Sequence, residues 1–198
     1  MNENSPENVA DSIRYQGKAV EDESWIREFL TGQETGVLGL VDDDTPHLVT
    51  QLFVYDDEAH AIFLHGARAG RAHDLVAEGD RPRASFTTSE HGRYIPADEP
   101  VNFTVEYSSV VAYGCISLLS AADEKQAVLE KVMAKYAPQL TPGEDYQPMS
   151  DESIGGAGRE PRPLRSGVKP VEGLHMLTSV DVLFNRFSAH LTSRSYVE

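Results

Sequence analysis

The 198-residue sequence predicts a mostly β protein, a β-barrel with short helices. Three observations lead there. Alternating or β-branched apolar runs recur from Gly36 to Leu119 and again near the C-terminus, and turn-rich spacers of Asp, Gly and Pro separate them. Helical periodicity is confined to three short segments. Strands joined by hairpins, without long helical crossovers, argue a mostly antiparallel barrel and against a doubly wound sheet.

The elements follow in order. Residues 1–20 are polar and unpatterned and are expected to form an arm outside a single domain spanning 21–198. "DESWIREFLTG" predicts a helix: acidic residues open it, Trp25, Ile26, Phe29 and Leu30 share one face, and Gly32 ends it. "TGVLGLV", the turn "DDDTP" and the return run "HLVTQLFVYDD" predict a hairpin, and "AIFLHG" a third strand. "GRAHDLVAEG" reads as a short helix with Leu75 and Val76 inward, and "RASFTT" as a fourth strand. The run "VNFTVEYSSVVAYGCISLLS" is one long strand or two joined by a bend. Val128, Leu129, Val132, Met133 and Tyr136 repeat at helical spacing before Pro138 stops the helix. Residues 139–172 are rich in Pro, Gly and Arg with no period, a long surface loop. "HMLTSVDVLFNRFSAHL" alternates as a last strand.

Composition excludes several functions. With 32 acidic against 17 basic residues the net charge is -15, and five of the basic residues are lysine. Such a surface repels nucleic acid and anionic membranes, and no dense basic groove offsets it. Acid-rich, lysine-poor surfaces suit high salt, where screening removes self-repulsion, so a halophile-like habitat is a compositional expectation. No apolar run is long enough to span a membrane and the N-terminal stretch does not read as a signal peptide, so a cytoplasmic location is expected. The single cysteine, Cys115, excludes an internal disulfide and any multi-cysteine metal site.

The stretch "FLHGARAGRAHDLV" concentrates chemistry. A strand ending at His65-Gly66 and a helix opening near Gly70-Arg71 leave turn and helix-start amides unpaired beside two guanidinium groups, Arg68 and Arg71. Free amides, the helix N-terminus and arginine forks together suit a phosphate. The competing reading is a solvated turn whose arginines pair with Asp74 or Glu78, and spacing alone leaves both open.

Other signals are weaker. The seven histidines show no i, i+4 pair on a helix, so no metal site is predicted. There is no Gly-x-Ser-x-Gly elbow, and "GGAGREPR" follows no apolar strand and opens no helix. Ser109, mid-strand in "VEYSSVVAYG", faces either solvent or a ligand groove.

"GVLGLVDDDTPHLVTQLFVYDDEAHAIFLHGARAGRAHDLV", then "YSSVVAYG", then "DEKQAVLEKVMAKYAP" resembles the Nim-type (nitroimidazole resistance, reductase-like) branch of the pyridoxamine 5'-phosphate oxidase-like proteins, from about Ser12 to Ser150. That branch has a hairpin, then His-Gly, two or three residues and Gly-Arg-Lys opening a helix, then Tyr-x-Ser-Val on a long strand. The resemblance implies an FMN-binding split β-barrel and a homodimer with FMN in two interface grooves. It implies that Arg71 with the amides around Gly70 holds the FMN phosphate, with Gly66 also among the cofactor-binding residues and Arg68 or His73 as the replacement for the lysine charge the branch usually carries. Thr50, Gln51 and Leu52 would border the ring, Ser109 would contact the cofactor, and His65 would lie beside the isoalloxazine as the candidate catalytic residue. Ala72 stands where the branch carries lysine, and Thr50-Gln51 where it often carries Pro-Leu. The activity implied is an FMN-dependent oxidoreductase reducing small electrophiles such as nitro-aromatics or quinones, with NAD(P)H as a possible donor. The alternative is a non-catalytic flavin- or haem-binding module, with His65 or His73 as axial ligand. Pyridoxamine phosphate oxidation itself is less favoured, because two basic clusters are not both evident.

Overall fold

A computed structural model of the chain describes Val20, residues 22–67, residues 69–147 and the backbone of 183–196. Six strands, β1 (Thr35–Asp42), β2 (Thr45–Asp56), β3 (Ala61–Gly66), β4 (Arg83–Ile95), β5 (Thr104–Leu118) and β6 (Leu183–Tyr196), close into a barrel in the order β1-β2-β3-β6-β5-β4. Every pairing is antiparallel. Three helices accompany them: α1 (Glu23–Gly32), α2 (Arg71–Glu78) and α3 (Ala122–Tyr136). The predicted mostly β, split-barrel class is what the chain adopts.

Alternation sorts the side chains. Leu38 and Leu40, Phe53 and Tyr55, Ile62 and Leu64, Phe86, and Val110, Ala112 and Ile116 point into the barrel, and Ile26, Phe29, Leu30 and Val76 from α1 and α2 join them. Phe53 and Phe86 meet edge to face at 4.9 Å. Gly36 lies so close that a Cβ there would sit 2.1 Å from Phe86 Cζ. The glycine is the space into which the ring packs.

Strand β3 is buried on both faces, which explains its unbroken apolar run. Ile62 and Leu64 face the barrel, while Ala61 and Phe63 lie under Val128, Leu129 and Val132 of α3 together with Leu119. The helical stripe read from the sequence is thus the face that α3 lays on the outside of the barrel. At the start of α1, Asp22 Oδ1 accepts from the Ser24 amide at 2.9 Å, an N-cap that satisfies one of the unpaired first-turn donors.

Two strand limits differ from the sequence reading. β4 does not stop at Thr88 but runs to Ile95, because a bulge between His91 and Tyr94 absorbs Gly92 and Arg93, and Arg93 pairs with Glu106 across the ladder. The last strand reaches Tyr196 and inserts between β3 and β5. The run 104–118 is one strand, preceded by a 3-10 turn at Pro100–Asn102. The expected arm 1–20, except Val20, and most of the expected loop 139–172 lie outside the described residues.

Candidate functional site

β3 ends at Gly66 and α2 begins at Arg71, whose guanidinium reaches Asp42 at the end of β1. Arg68 lies outside the described residues. Gly70 precedes the helix with φ +106°, a conformation that side-chain-bearing residues rarely adopt, and a Cβ built on it meets nothing within 4 Å. No side chain caps α2; its first hydrogen bond runs from the Asp74 amide to Gly70 O at 3.0 Å. The amides of Arg71, Ala72 and His73, in the first turn, therefore have no acceptor within the helix.

Arg71 opens α2, and its Nε and Nη2 donate to the two carboxylate oxygens of Asp42 at the end of β1. A guanidinium has five donors, so three remain. The hydrogen bonds from Arg71 hold the Asp42 carboxyl below the usual carboxylate range, and the same contact raises Arg71. One residue into the helix turn, His73 Nδ1 lies 3.0 Å from Asp74 Oδ1. The self-pairing reading of the turn thus holds in part, yet with a partner 29 residues away instead of Asp74 or Glu78. Asp42 stood in the acidic hairpin turn "DDDTP", and only the barrel's closure brings it beneath α2.

The remaining predicted residues divide by strand parity. Gln51 faces inward, and its Oε1 would lie 3.2 Å from a Cβ on Gly66. Thr50 and Leu52 are exposed on the outer face, with Leu52 opposite Thr35 on β1. His65 is half-buried on the same outer side of β3 as Phe63, and that burial lowers its pKa below the usual histidine value. Ser109, half-buried, belongs to the outer face of β5, opposite Ser89 of β4. Between β2 and β5 lie β1 and β4, three ladder spacings or about 14 Å, which separates Ser109 from Thr50. Only β6 lies between β3 and β5, but His65 pairs with Phe184 and Ser109 with Arg194 far along that strand, so Ser109 joins neither within one chain.

This outer face carries apolar surface. Val41 is 66% and Leu48 68% exposed, and with Gly39, Ser85 and Tyr113 they line a shallow groove of about 290 Å³. Among the described residues no helix is long and apolar enough to cross a membrane, and no group of three or more His, Cys, Asp or Glu is arranged to hold a metal ion.

Sequence reasoning missed a second polar cluster. Tyr136 and Lys135, at the end of α3, reach the backbone of Gln33, Glu34 and Phe53. Burial lowers the Lys135 ammonium to a pKa of about 8. The helical period marked Tyr136 as core, and nothing local signals either contact.

A six-stranded antiparallel barrel with an uncapped, glycine-led, arginine-opened helix following its third strand places the chain among small closed-barrel proteins. Residues 22–156 match the family described as pyridoxamine 5'-phosphate oxidase, and the chain belongs to that family. No curated protein sequence matches significantly. Among solved structures, the flavocytochrome Anf3 of Azotobacter vinelandii aligns over 94% of this chain and 74% of its own, with TM-score 0.65 and 17% identity. An FAD- and haem-binding protein of Mycobacterium smegmatis aligns over 91% and 74%, with TM-score 0.68 and 14% identity. A candidate 5-nitroimidazole antibiotic resistance protein of Bacteroides thetaiotaomicron aligns over 87% and 83%, with TM-score 0.60 and 14% identity. At these identities the likeness is one of fold.

Proposed function

We propose that this chain binds a flavin, specifically FMN, and acts as an oxidoreductase toward small electrophiles such as nitro-aromatics or quinones, with NAD(P)H as donor. The observation that carries the reading is the start of α2: an open Gly70 at positive φ, first-turn amides without acceptors in the helix, and Arg71 at the first helical position. These groups fit a phosphate dianion. The names of fold relatives point the same way, since one is a flavocytochrome and another binds FAD and haem.

In this reading Arg71 and the amides of Ala72 and His73 hold the phosphate, while the backbone edge of Thr50, Gln51 and Leu52, beyond the β3 pairing that starts at Phe53, borders the ring together with His65. A bound flavin supplies hydride and single-electron transfer. The half-buried His65, its charged form disfavoured by burial, is favoured as the neutral imidazole, which can present a ring nitrogen toward a reacting atom. Homodimerisation supports the same site: a second copy covering the apolar outer face at Leu48 and Val41 would bring an outer β5 face, with its Ser109, to the ring.

Titrating flavin-free protein with FMN and following flavin fluorescence tests the reading. Saturable quenching that Arg71→Ala weakens about tenfold supports it; no binding, or binding indifferent to Arg71→Ala, refutes it. A second reading, a flavin- or haem-binding module without turnover, draws on the haem in the same two relatives' names. A Soret band on adding haem, lost in His65→Ala, would favour that module, and bleaching of the bound flavin by NAD(P)H would favour the enzyme.

A further inference from the structure

The guanidinium fork at the proposed phosphate position already holds an anion. Asp42 grips the Nε and Nη2 edge of Arg71 with both carboxylate oxygens, the bidentate geometry that a phosphate also uses. The pair is accessible, with the Arg71 side chain 47% and Asp42 24% exposed, so an incoming ligand meets it from solvent. Charge around it is scarce on the positive side. Ala72 adds no cation, His73 is engaged by Asp74, and Asp43 and Glu78 bear on the same guanidinium. The nearest further basic group acting on Asp42 is His47.

A phosphomonoester carries about -1.5 to -2 at neutral pH. Adding it while Asp42 stays in place would gather close to three negative charges around one guanidinium, with Coulomb repulsion over a few ångströms and, among the described residues, no second cation beside it to offset the repulsion. The two anions therefore compete for the same guanidinium.

We propose that Asp42 is an internal competitor for the phosphate subsite. Its carboxylate fills the Arg71 fork when no ligand is bound, swings out when a phosphate enters, and so sets how strongly the turn distinguishes a phosphorylated from an unphosphorylated ligand. This rests on the flavin-phosphate reading of the turn above. It goes beyond that reading by assigning a residue of the β1–β2 hairpin, remote in sequence from the turn, to control of its affinity.

The test compares FMN with riboflavin, which lacks the phosphate, on the flavin-free full chain by fluorescence titration. Asp42→Asn keeps the shape and removes the charge, and Asp42→Ser removes both. Both variants are expected to bind FMN about tenfold tighter than the parent while riboflavin affinity changes by less than about twofold. Adding Asp42→Asn to Arg71→Ala is expected to yield under about twofold, because the competition needs the fork. A purely structural ion pair would shift both ligands alike. FMN affinity that is unchanged or weaker in both Asp42 variants, with Arg71→Ala still harmful, overturns the competitor role and leaves the phosphate reading standing. If the parent binds FMN no better than riboflavin and Arg71→Ala changes neither, the phosphate reading falls, and the competitor role with it.

Discussion

Tyr136, the last residue of α3, clamps the backbone of Phe53 on β2: its hydroxyl accepts the Phe53 amide at 3.0 Å and lies 2.6 Å from Phe53 O and 2.7 Å from Glu34 O. One phenolic proton is shared between two carbonyls, and the same oxygen takes the Phe53 amide. The contact ties the outer helix to the strand that carries Thr50, Gln51 and Leu52.

Removing that hydroxyl takes a partner from the Phe53 amide and from the Glu34 carbonyl, while Phe53 O keeps Lys135, and it opens no cavity. Tyr136→Phe is expected to cost about 1–3 kcal/mol, seen as a lower urea midpoint with an unchanged m-value. A midpoint equal to the parent's would show that solvent or a neighbour replaces the bond.

Lys135 sits beside this clamp, donating to Gln33 O at 2.6 Å and Phe53 O at 3.1 Å, 4.4 Å above the Phe53 ring. Burial lowers its pKa to about 8 from a model-compound value of 10.5. Between those values the unfolded chain binds the proton more than the folded one, so this residue makes stability rise with pH from about 8 to 10.5. Below about 8 its unfavourable contribution is constant. Lys135→Met is expected to flatten that segment of a stability-versus-pH curve measured by urea denaturation, and an unaltered slope would refute the assignment.

His65 carries the same sign in another window. Burial depresses its folded pKa, so the unfolded chain takes up the proton first as pH falls below the ordinary value of 6.5. Stability then decreases with falling pH until the folded histidine also titrates. His65→Gln is expected to reduce this loss as pH falls below 6.5 in thermal melts, while FMN binding persists and turnover changes. Turnover equal to the parent's would remove His65 from the chemistry.

Gly36 tests the packing of the barrel. Its missing Cβ is the space occupied by Phe86, so Gly36→Ala is expected to destabilise by about 1–3 kcal/mol through overpacking. Combining it with Phe86→Leu is expected to cost less than the sum of the two changes, a coupling that a double-mutant cycle in urea reads directly. Additive costs would mean that the ring moves aside freely.

Much of this architecture was legible in the chain. The period-two alternation of Leu38 and Leu40 or Phe53 and Tyr55 assigns faces before any contact is known, and the stripe at Val128, Leu129 and Val132 finds α3 by the same logic. The turn from His65 to Arg71 was equally readable, because a glycine-led helix start is written within a few residues. β4 beyond Thr88 was not. Its continuation depends on a bulge and on the Arg93–Glu106 pair, which exist only once β5 lies alongside.

The sequence by itself determined the barrel class, the order of its elements and a glycine-led helix start at Arg71, since periodicity and local backbone chemistry act over neighbouring residues. Tertiary structure alone decided who answers Arg71 and where Ser109 stands. Closing the barrel sets Asp42 under the guanidinium across 29 residues of chain, and it separates Ser109 from Thr50 by two intervening strands. Electrostatic and packing partners follow distance in space, which ring closure fixes and linear order does not.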